Sequence, residues 1–315
     1  MNRRNFLGGL AILGCQGMLQ DPLHAAVPTP KKRTKVMPAS EWDDNLVVII
    51  SDLHTHPAGY QPDKLRRVVD DIINMAPKPR NVLALGDLAY LQGKRPEYEL
   101  LREIVAPLAQ AGISLTMAMG NHDRRDHFCE YFPLLAQQTL VPGKLVFRVE
   151  TPRAVFILLD SSQKGKGGED DFIAAGMVDE AQKEWLKNQL ASETKPAFVM
   201  AHHPISETKL QKILLESPTC SGYIYGHDHR WRKDWVHLNY SDRLLIRTLC
   251  SPSTGHWGDI GYTCLRLDEK VATAELHQYE FYFPSPVREG QPIPEEWQLI
   301  NEEHSGAQCR FVYRG

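Results

Sequence analysis

The sequence lacks the marks of a nucleic-acid binder, a disulfide scaffold or a repeat protein. Its 315 residues set 36 Lys and Arg against 39 Asp and Glu, a formal net charge of -3. That near balance offers no broad basic surface to a polyanion, so no nucleic-acid partner is expected and electrostatics must act locally. Six cysteines are present, none spaced CxxC, and the five beyond Cys15 (Cys129, Cys220, Cys250, Cys264 and Cys309) form an odd set. Neither a zinc knot nor a full disulfide framework is indicated, and most of these thiols read as small buried hydrophobes. No internal repeat, low-complexity tract or clear linker interrupts residues 42–315, so one domain is the simpler organisation. A hydrophobic share of 42% is ordinary for a globular core.

What the chain does have is histidine, thirteen in all, several of them close together: His202-His203, His227-Asp228-His229 and Asp52-Leu53-His54-Thr55-His56. Imidazole is the commonest transition-metal ligand. The N-terminal residues read as an address rather than as fold. Arg3-Arg4-Asn5-Phe6-Leu7 is a twin-arginine pair entering an apolar run, residues 7–14, that is too short to span a bilayer. Residues 1–26 resemble a bacterial Tat signal peptide, which implies the Tat export machinery as a partner and the periplasm as destination. That route carries proteins already folded, often around a metal. Cleavage after Ala25-Ala26 would release the mature chain. Ile12-Leu13-Gly14-Cys15 also resembles a loose lipoprotein box, with Leu13 where a small residue is usual, and a lipidated Cys15 would tether it to a membrane. Release is the retained expectation. Residues 27–41, with Pro, Lys and Thr and no apolar period, read as a linker.

From Trp42 short apolar runs alternate with amphipathic patterns: 46–50 then a helix over 63–75, 82–85 then 97–110, 114–119 then 124–135. Buried strands followed by helices predict an α/β layered core. Runs at 145–149 and 154–159, a Gly-rich charged loop over 163–171, a helix over 179–190 and strands at 197–200 and 223–225 continue the theme. Segments 243–248, 262–267 and 272–282 look like a meander that forms a second sheet. The domain is expected to span 42–283, with 284–315 as a C-terminal extension.

Each unusual cluster directly follows an apolar run. Ile49-Ile50 leads to Ser51-Asp52-Leu53-His54, Leu85 to Gly86-Asp87, Met119 to Gly120-Asn121-His122-Asp123, Ala201 to His202-His203-Pro204, and Tyr225 to Gly226-His227-Asp228-His229. Ligands of open α/β sheets gather beyond the carboxyl ends of strands. Singly these are weak signals, because an Asp after a strand is often a helix cap and a lone buried His is often a satisfied core residue. Five in order are specific, since chance convergence of so many carboxylates and imidazoles would leave buried polar groups unpaired.

These residues match in full the DxH, GD, GNH(D/E), H and GHxH pattern of the calcineurin-like metallophosphoesterase superfamily, which the chain resembles over roughly residues 45–265. The resemblance implies a four-layer αββα sandwich of two mixed sheets flanked by helices, with a dimetal site at the strand C-terminal ends. It implies one ion on Asp52, His54, Asp87 and His229, and another on Asp87, Asn121, His202 and His227. Asp87 is then shared, and two ions roughly 3.5–4 Å apart hold a bridging hydroxide as nucleophile. His122 becomes the acid for the leaving oxygen, with Asp123 orienting and charging it. Mixed nitrogen and oxygen donors suit Fe, Mn or Zn and do not choose among them. His203 and Arg124 are the candidate contacts to substrate phosphate; His56 and Arg125 stand in similar positions.

Gly86-Asp87-Leu88-Ala89-Tyr90 also matches the GDxxY of purple acid phosphatases, whose Tyr ligates iron. Those enzymes carry DxG where this chain has His54, so His54 is taken as the ligand and Tyr90 as packing. Within the superfamily the chain is most similar to class III cyclic-nucleotide phosphodiesterases, through Asp52-Leu53-His54, Gly120 to Asp123 with Tyr131-Phe132-Pro133 downstream, Leu159-Asp160-Ser161-Ser162 and His202-His203-Pro204. The expected substrate is a small phosphate ester, a phosphodiester first. The alternatives are an exported broad-specificity phosphomonoesterase and a non-catalytic metal-binding module.

Overall fold

The computed structural model describes residues 41–164, 172–236, 245–282 and 305–314. The expected signal peptide, Cys15 and all of the linker but Glu41 lie outside the described residues, as do 165–171 of the Gly-rich loop and 284–304 of the expected extension.

The first strand, β1 (Trp42–Ile50), runs parallel to β2 (Lys78–Ala84), and β2 parallel to β3 (Ser114–Met117). The connections are α1 (Gln61–Asn74) and α2 (Arg95–Gln110). Leu65, Val68, Val69 and Ile72 of α1, and Leu101, Ile104, Val105 and Leu108 of α2, recur at helical spacing and are buried in one cluster with the strands. Residues 124–135, expected as one helix, form two: α3 (Arg125–Tyr131) and α4 (Pro133–Ala136). Phe132 between them has φ -125° and ψ 52°. The Pro133 ring crowds the residue before it out of the helical region, and the helix breaks there.

The chain then adds β4 (Phe147–Glu150), β5 (Val155–Leu158), the short pair β6 (Gln163–Lys164) and β7 (Phe172–Ile173), α5 (Glu180–Ser192) and β8 (Ala197–Met200). Next come α6 (Ile205–Thr208), α7 (Gln211–Glu216), β9 (Cys220–Tyr225), β10 (Arg232–Val236) and β11 (Ile246–Cys250). The last strands are β12 (Gly258–Leu267), β13 (Val271–Tyr282) and β14 (Gln308–Val312). Among the described residues two six-stranded sheets result, ordered β14-β13-β12-β1-β2-β3 and β10-β11-β9-β8-β5-β4. Each mixes parallel and antiparallel neighbours.

The meander expected over 243–282 is split between the sheets. β11 joins the second sheet beside β9, whereas β12 pairs antiparallel with β1, Val48 opposite Cys264, and carries β13 with it into the first sheet. Nor is residue range 284–315 wholly an extension, because β14 pairs with β13 and buries Phe311 completely.

Strands that read as unbroken apolar runs are buried on both faces, and their period-two alternation divides them between two cores. Phe156 and Leu158 of β5 and Phe198 and Met200 of β8 pack in the cluster that contains the first sheet. Their neighbours Val155, Ile157, Ala197 and Val199 pack instead with Leu186 and Leu190 of α5. The order of layers is therefore helix, sheet, sheet, helix, the sandwich that the resemblance implies.

Candidate metal centre

Parallel β1, β2 and β3 of one sheet and β8 and β9 of the other send their following loops to one end of the molecule. The loops cross-link there. Asp52 N donates to the Gly86 carbonyl at 3.1 Å, Gly226 N to the His202 carbonyl at 3.0 Å, and Thr254 N to the Ser51 carbonyl at 2.7 Å. Such close approach needs glycine at two points: a Cβ on Gly120 would land on the Asp87 carboxylate, and one on Gly226 would land on the Ser51 hydroxyl.

Asp52, His54, Asp87, His227 and His229 all have φ between 44° and 69°. Left-handed backbone costs a non-glycine residue about 1–3 kcal/mol and persists where the surroundings over-determine it. Five strained positions in three loops, all converging on one point, mark a site for which geometry outweighs stability.

Asp52, His54, Asp87 and His229 each present a donor atom within 4.8 Å of the others, and all four are buried. Asp52 Oδ1 is 3.1 Å from His229 Nε2, and Asp87 Oδ2 is 3.4 Å from His54 Nε2. On its other side Asp87 Oδ2 lies 3.2 Å from His202 Nε2. His202 Nε2 is in turn 3.1 Å from Asn121 Oδ1 and 3.3 Å from His227 Nδ1. One carboxylate thus stands between two donor sets. These contacts bring Asp52, His54, Asp87, Asn121, His202, His227 and His229 close together.

The ring orientations come from backbone carbonyls. His54 Nδ1 donates to the Tyr90 carbonyl (2.8 Å), His202 Nδ1 to that of Leu85 (2.8 Å) and His229 Nδ1 to that of Trp257 (3.0 Å). Each bond fixes the ring orientation that turns Nε2 toward the centre. His54 Nε2 is buried and finds no hydrogen-bond partner among the described residues. An orphaned imidazole nitrogen beside two carboxylates fits a cation. The acid candidate is held the same way: His122 Nδ1 donates to the Leu91 carbonyl at 2.9 Å, its Nε2 is 3.9 Å from Asp87 Oδ2, and its main-chain N–H donates to Asp87 Oδ1 at 2.9 Å.

The profile of the calcineurin-like phosphoesterase family matches residues 46–231, more than half of the chain. This chain belongs to the calcineurin-like phosphoesterase family. A probable cyclic nucleotide phosphodiesterase of Rhodopseudomonas palustris is 26% identical over 85% of this chain and 93% of its own length. A cAMP/cGMP dual specificity phosphodiesterase of Mycobacterium tuberculosis is 28% identical over 51% of this chain, which spans 50% of that relative. Among solved structures, a dimetal phosphatase from Danio rerio superposes with a TM-score of 0.59 at 14% identity, over 76% of this chain and 97% of that one, a likeness of fold.

Electrostatics in this phosphoesterase suit anionic carboxylates among mostly neutral rings. Burial alone would raise the Asp52 carboxyl, but His229 and His202 hold it below the usual range; His202, His122 and His54 do the same for Asp87. Burial pushes His54 down to about 4. His202 is the exception: burial would lower it, yet Asp87 and Asp52 lift it to about 9. In the metal-free phosphoesterase the His202 ring is therefore protonated at neutral pH. That contribution to stability is present below pH 6.5, the ordinary value, and is lost as pH rises through about 9. A cation must displace the same proton, so its apparent affinity is expected to rise about tenfold per pH unit from neutral pH upward and to level off near the His202 pKa. Competition titrations with a chelator across this range check the slope; a flat response contradicts it.

Three residues depart from their expected roles. Asp123, expected to orient His122, instead accepts from Leu88 N (3.1 Å), Ala89 N (3.0 Å), Gly120 N (2.9 Å) and the Tyr98 hydroxyl (3.1 Å). It pins the Asp87 loop to the Asn121 loop, and the His122 ring takes its orientation from Leu91. Burial, followed by the nearby Asp87, pushes the Asp123 carboxyl up to about 6. His203, a candidate phosphate contact, is fully buried, with Nδ1 2.8 Å from Ser161 Oγ and Nε2 3.0 Å from the Ala174 carbonyl. Although one of its nitrogens falls within 4.8 Å of a nitrogen of His202 and of His227, both of its nitrogens already have partners, so it backs the two ligands. Arg124, the other candidate, forms an ion pair with Asp126 at 2.7 Å, while Arg125 grips Asp160 through two bonds of 2.6 Å.

Sequence reasoning missed His256. Its ring centroid is 4.2 Å from that of His54 and 5.5 Å from that of His229, and burial pushes its pKa down to about 2. It follows β11 in Thr254-Gly255-His256-Trp257, outside the five segments, and no spacing singles it out.

Proposed function

We propose that the chain hydrolyses small phosphodiesters, with His122 delivering the proton to the departing oxygen. The observation that carries this reading is the position of His122: its side chain is 14% exposed at the edge of the centre, while Asp87, His202 and His54 behind it are almost wholly buried. Held by Asp52, His54, Asp87, Asn121, His202, His227 and His229, two cations would supply Lewis acidity and would lower the pKa of water to about 7. Donor chemistry supports Fe, Mn or Zn over Ca or Mg.

The residues do the rest. With its Nδ1 proton given to the Leu91 carbonyl, protonated His122 aims its second proton, on Nε2, into the site; release of that proton to the leaving oxygen leaves the neutral tautomer that Leu91 already stabilises. Asp123 and Tyr98 keep the two loops in register, and the Asp87 carboxylate holds the His122 main chain.

The diester preference draws support from the names of the two relatives. Metal-loaded protein assayed on paired diester and monoester substrates is expected to turn over the diester faster. Monoester turnover with no diester turnover sinks the preference and leaves a phosphomonoesterase. Export completes the proposal, resting on Arg3-Arg4 and the apolar run that follows. Cell fractionation should find the wild-type chain in the periplasm, free or tethered through Cys15, and Arg3→Lys/Arg4→Lys in the cytoplasm; equal export of both sinks the Tat assignment.

A further inference from the structure

Three residues serve the centre twice. Tyr90, Leu91 and Trp257 supply the carbonyls that orient His54, His122 and His229. Unlike Leu85, which orients His202 from the core, all three are at least partly exposed, Leu91 at 43%. The Trp257 ring lies 4.2 Å from that of His229, and the Tyr90 ring 6.3 Å from that of His54. His56 meets Tyr90 at 4.9 Å and His256 meets it edge-on at 5.5 Å, so the rings form a continuous wall rather than isolated contacts.

The wall is held rigid. His256 Nδ1 is 3.3 Å from the Gln61 amide, and its main-chain N–H donates to Ser253 Oγ at 3.0 Å. Among the described residues it stands around the Asp52, His54 and His229 donors; on the His202 and His227 side, His203 is wholly buried and both its ring nitrogens are bonded within the protein. An ester whose phosphate rests on the centre and whose organic group leaves past His122 therefore has aromatic and apolar surface beside that group. Stacking on such surface is tolerant of base identity, because every flat ring presents a π face.

We propose that Tyr90, Leu91 and Trp257, backed by His56 and His256, form a platform that selects phosphoesters whose organic group carries a flat aromatic ring, whether a nucleobase or an aryl group. This deepens the phosphoester reading and rests on it. The platform acts on binding of the organic group and leaves the proton transfer to His122.

The test uses the metal-loaded enzyme with Tyr90→Ala and Trp257→Ala, both of which keep the backbone carbonyl that orients the ligand. The substrates are a nucleoside cyclic phosphate, a diphenyl phosphodiester and a diethyl phosphodiester, and metal content is measured alongside. The ratio of kcat/KM for the ring-bearing ester to that for the diethyl ester is expected to fall roughly tenfold for each ring removed, mainly through KM. Tyr90→Phe and Trp257→Phe are expected to restore it. A fall for the nucleoside ester alone identifies a base reached across a sugar; a fall for both identifies any flat ring. An unchanged ratio in variants with full metal content overturns the platform. Should either alanine variant lose metal, Tyr90→Leu and Trp257→Leu, which fill the space without a π face, decide by the same ratio. If the wild type accepts only monoesters, the diester reading fails separately, and the ratio of phenyl to ethyl phosphate then tests the platform in the same way.

Discussion

Replacing Asp87 by asparagine is expected to strip both ions from the centre and to lower turnover by about 10³-fold or more. The reason is position. Asp87 Oδ2 stands 3.4 Å from His54 and 3.2 Å from His202, one in each donor set, so a single loss of charge removes a ligand from both. Asparagine retains an oxygen to accept the His122 main-chain N–H, a bond of 2.9 Å in the wild type, so the loop keeps its reason to hold its shape. A second consequence separates this from general damage. Asp87 is the first of the charges that lift His202 to about 9, and without it burial should return that ring to the neutral form. Metal analysis after equilibration at fixed free metal, with the imidazole signals followed by NMR, reads both effects. Two ions per chain in Asp87→Asn would show that the carboxylate is not shared.

The second large effect is that of His122→Ala, expected to lower kcat by about 10²- to 10⁴-fold with both ions retained. The ring lies 3.9 Å from Asp87 and borders both donor sets without belonging to either. Its loss should be felt chiefly in proton delivery. The deficit should therefore shrink with leaving groups acidic enough to depart unprotonated, such as nitrophenolate, and be largest for alkoxides. A uniform deficit across leaving groups would assign His122 to charge stabilisation, and undiminished activity would remove it from the mechanism.

Much of the centre was legible because its ligands are side chains placed directly after apolar runs. Asp52, His54, Asp87, Asn121, His202, His227 and His229 all sit in loops that leave parallel strands at one end of the sandwich. The parts that escaped have physical reasons. Carbonyls from Leu85, Tyr90, Leu91 and Trp257 orient the rings, and a carbonyl carries no residue identity to read. Asp123 was misjudged because adjacency to His122 implies contact, whereas its side chain turns toward Leu88, Ala89 and Gly120. The placement of β12 depends on pairing with β1, as Val48 with Cys264, across most of the chain, and local alternation says nothing about which sheet a strand joins. Glycines 120 and 226 were visible in the motifs, but only packing shows that each is the gap through which two loops touch.

The positive φ values at five ligand residues, and the buried His54 nitrogen without a hydrogen-bond partner among the described residues, describe a protein that keeps strain and a poorly satisfied polar atom in its centre. Metal binding offsets both, so loading should stabilise the fold as well as enable turnover.

The most direct test of a centre bridged by Asp87 is anomalous diffraction from crystals loaded with manganese or zinc. The account predicts two peaks about 3.5–4 Å apart, one among Asp52, His54 and His229, the other among Asn121, His202 and His227, with Asp87 between them. A single peak, or one bound by His203 with Asp87 uninvolved, would contradict it.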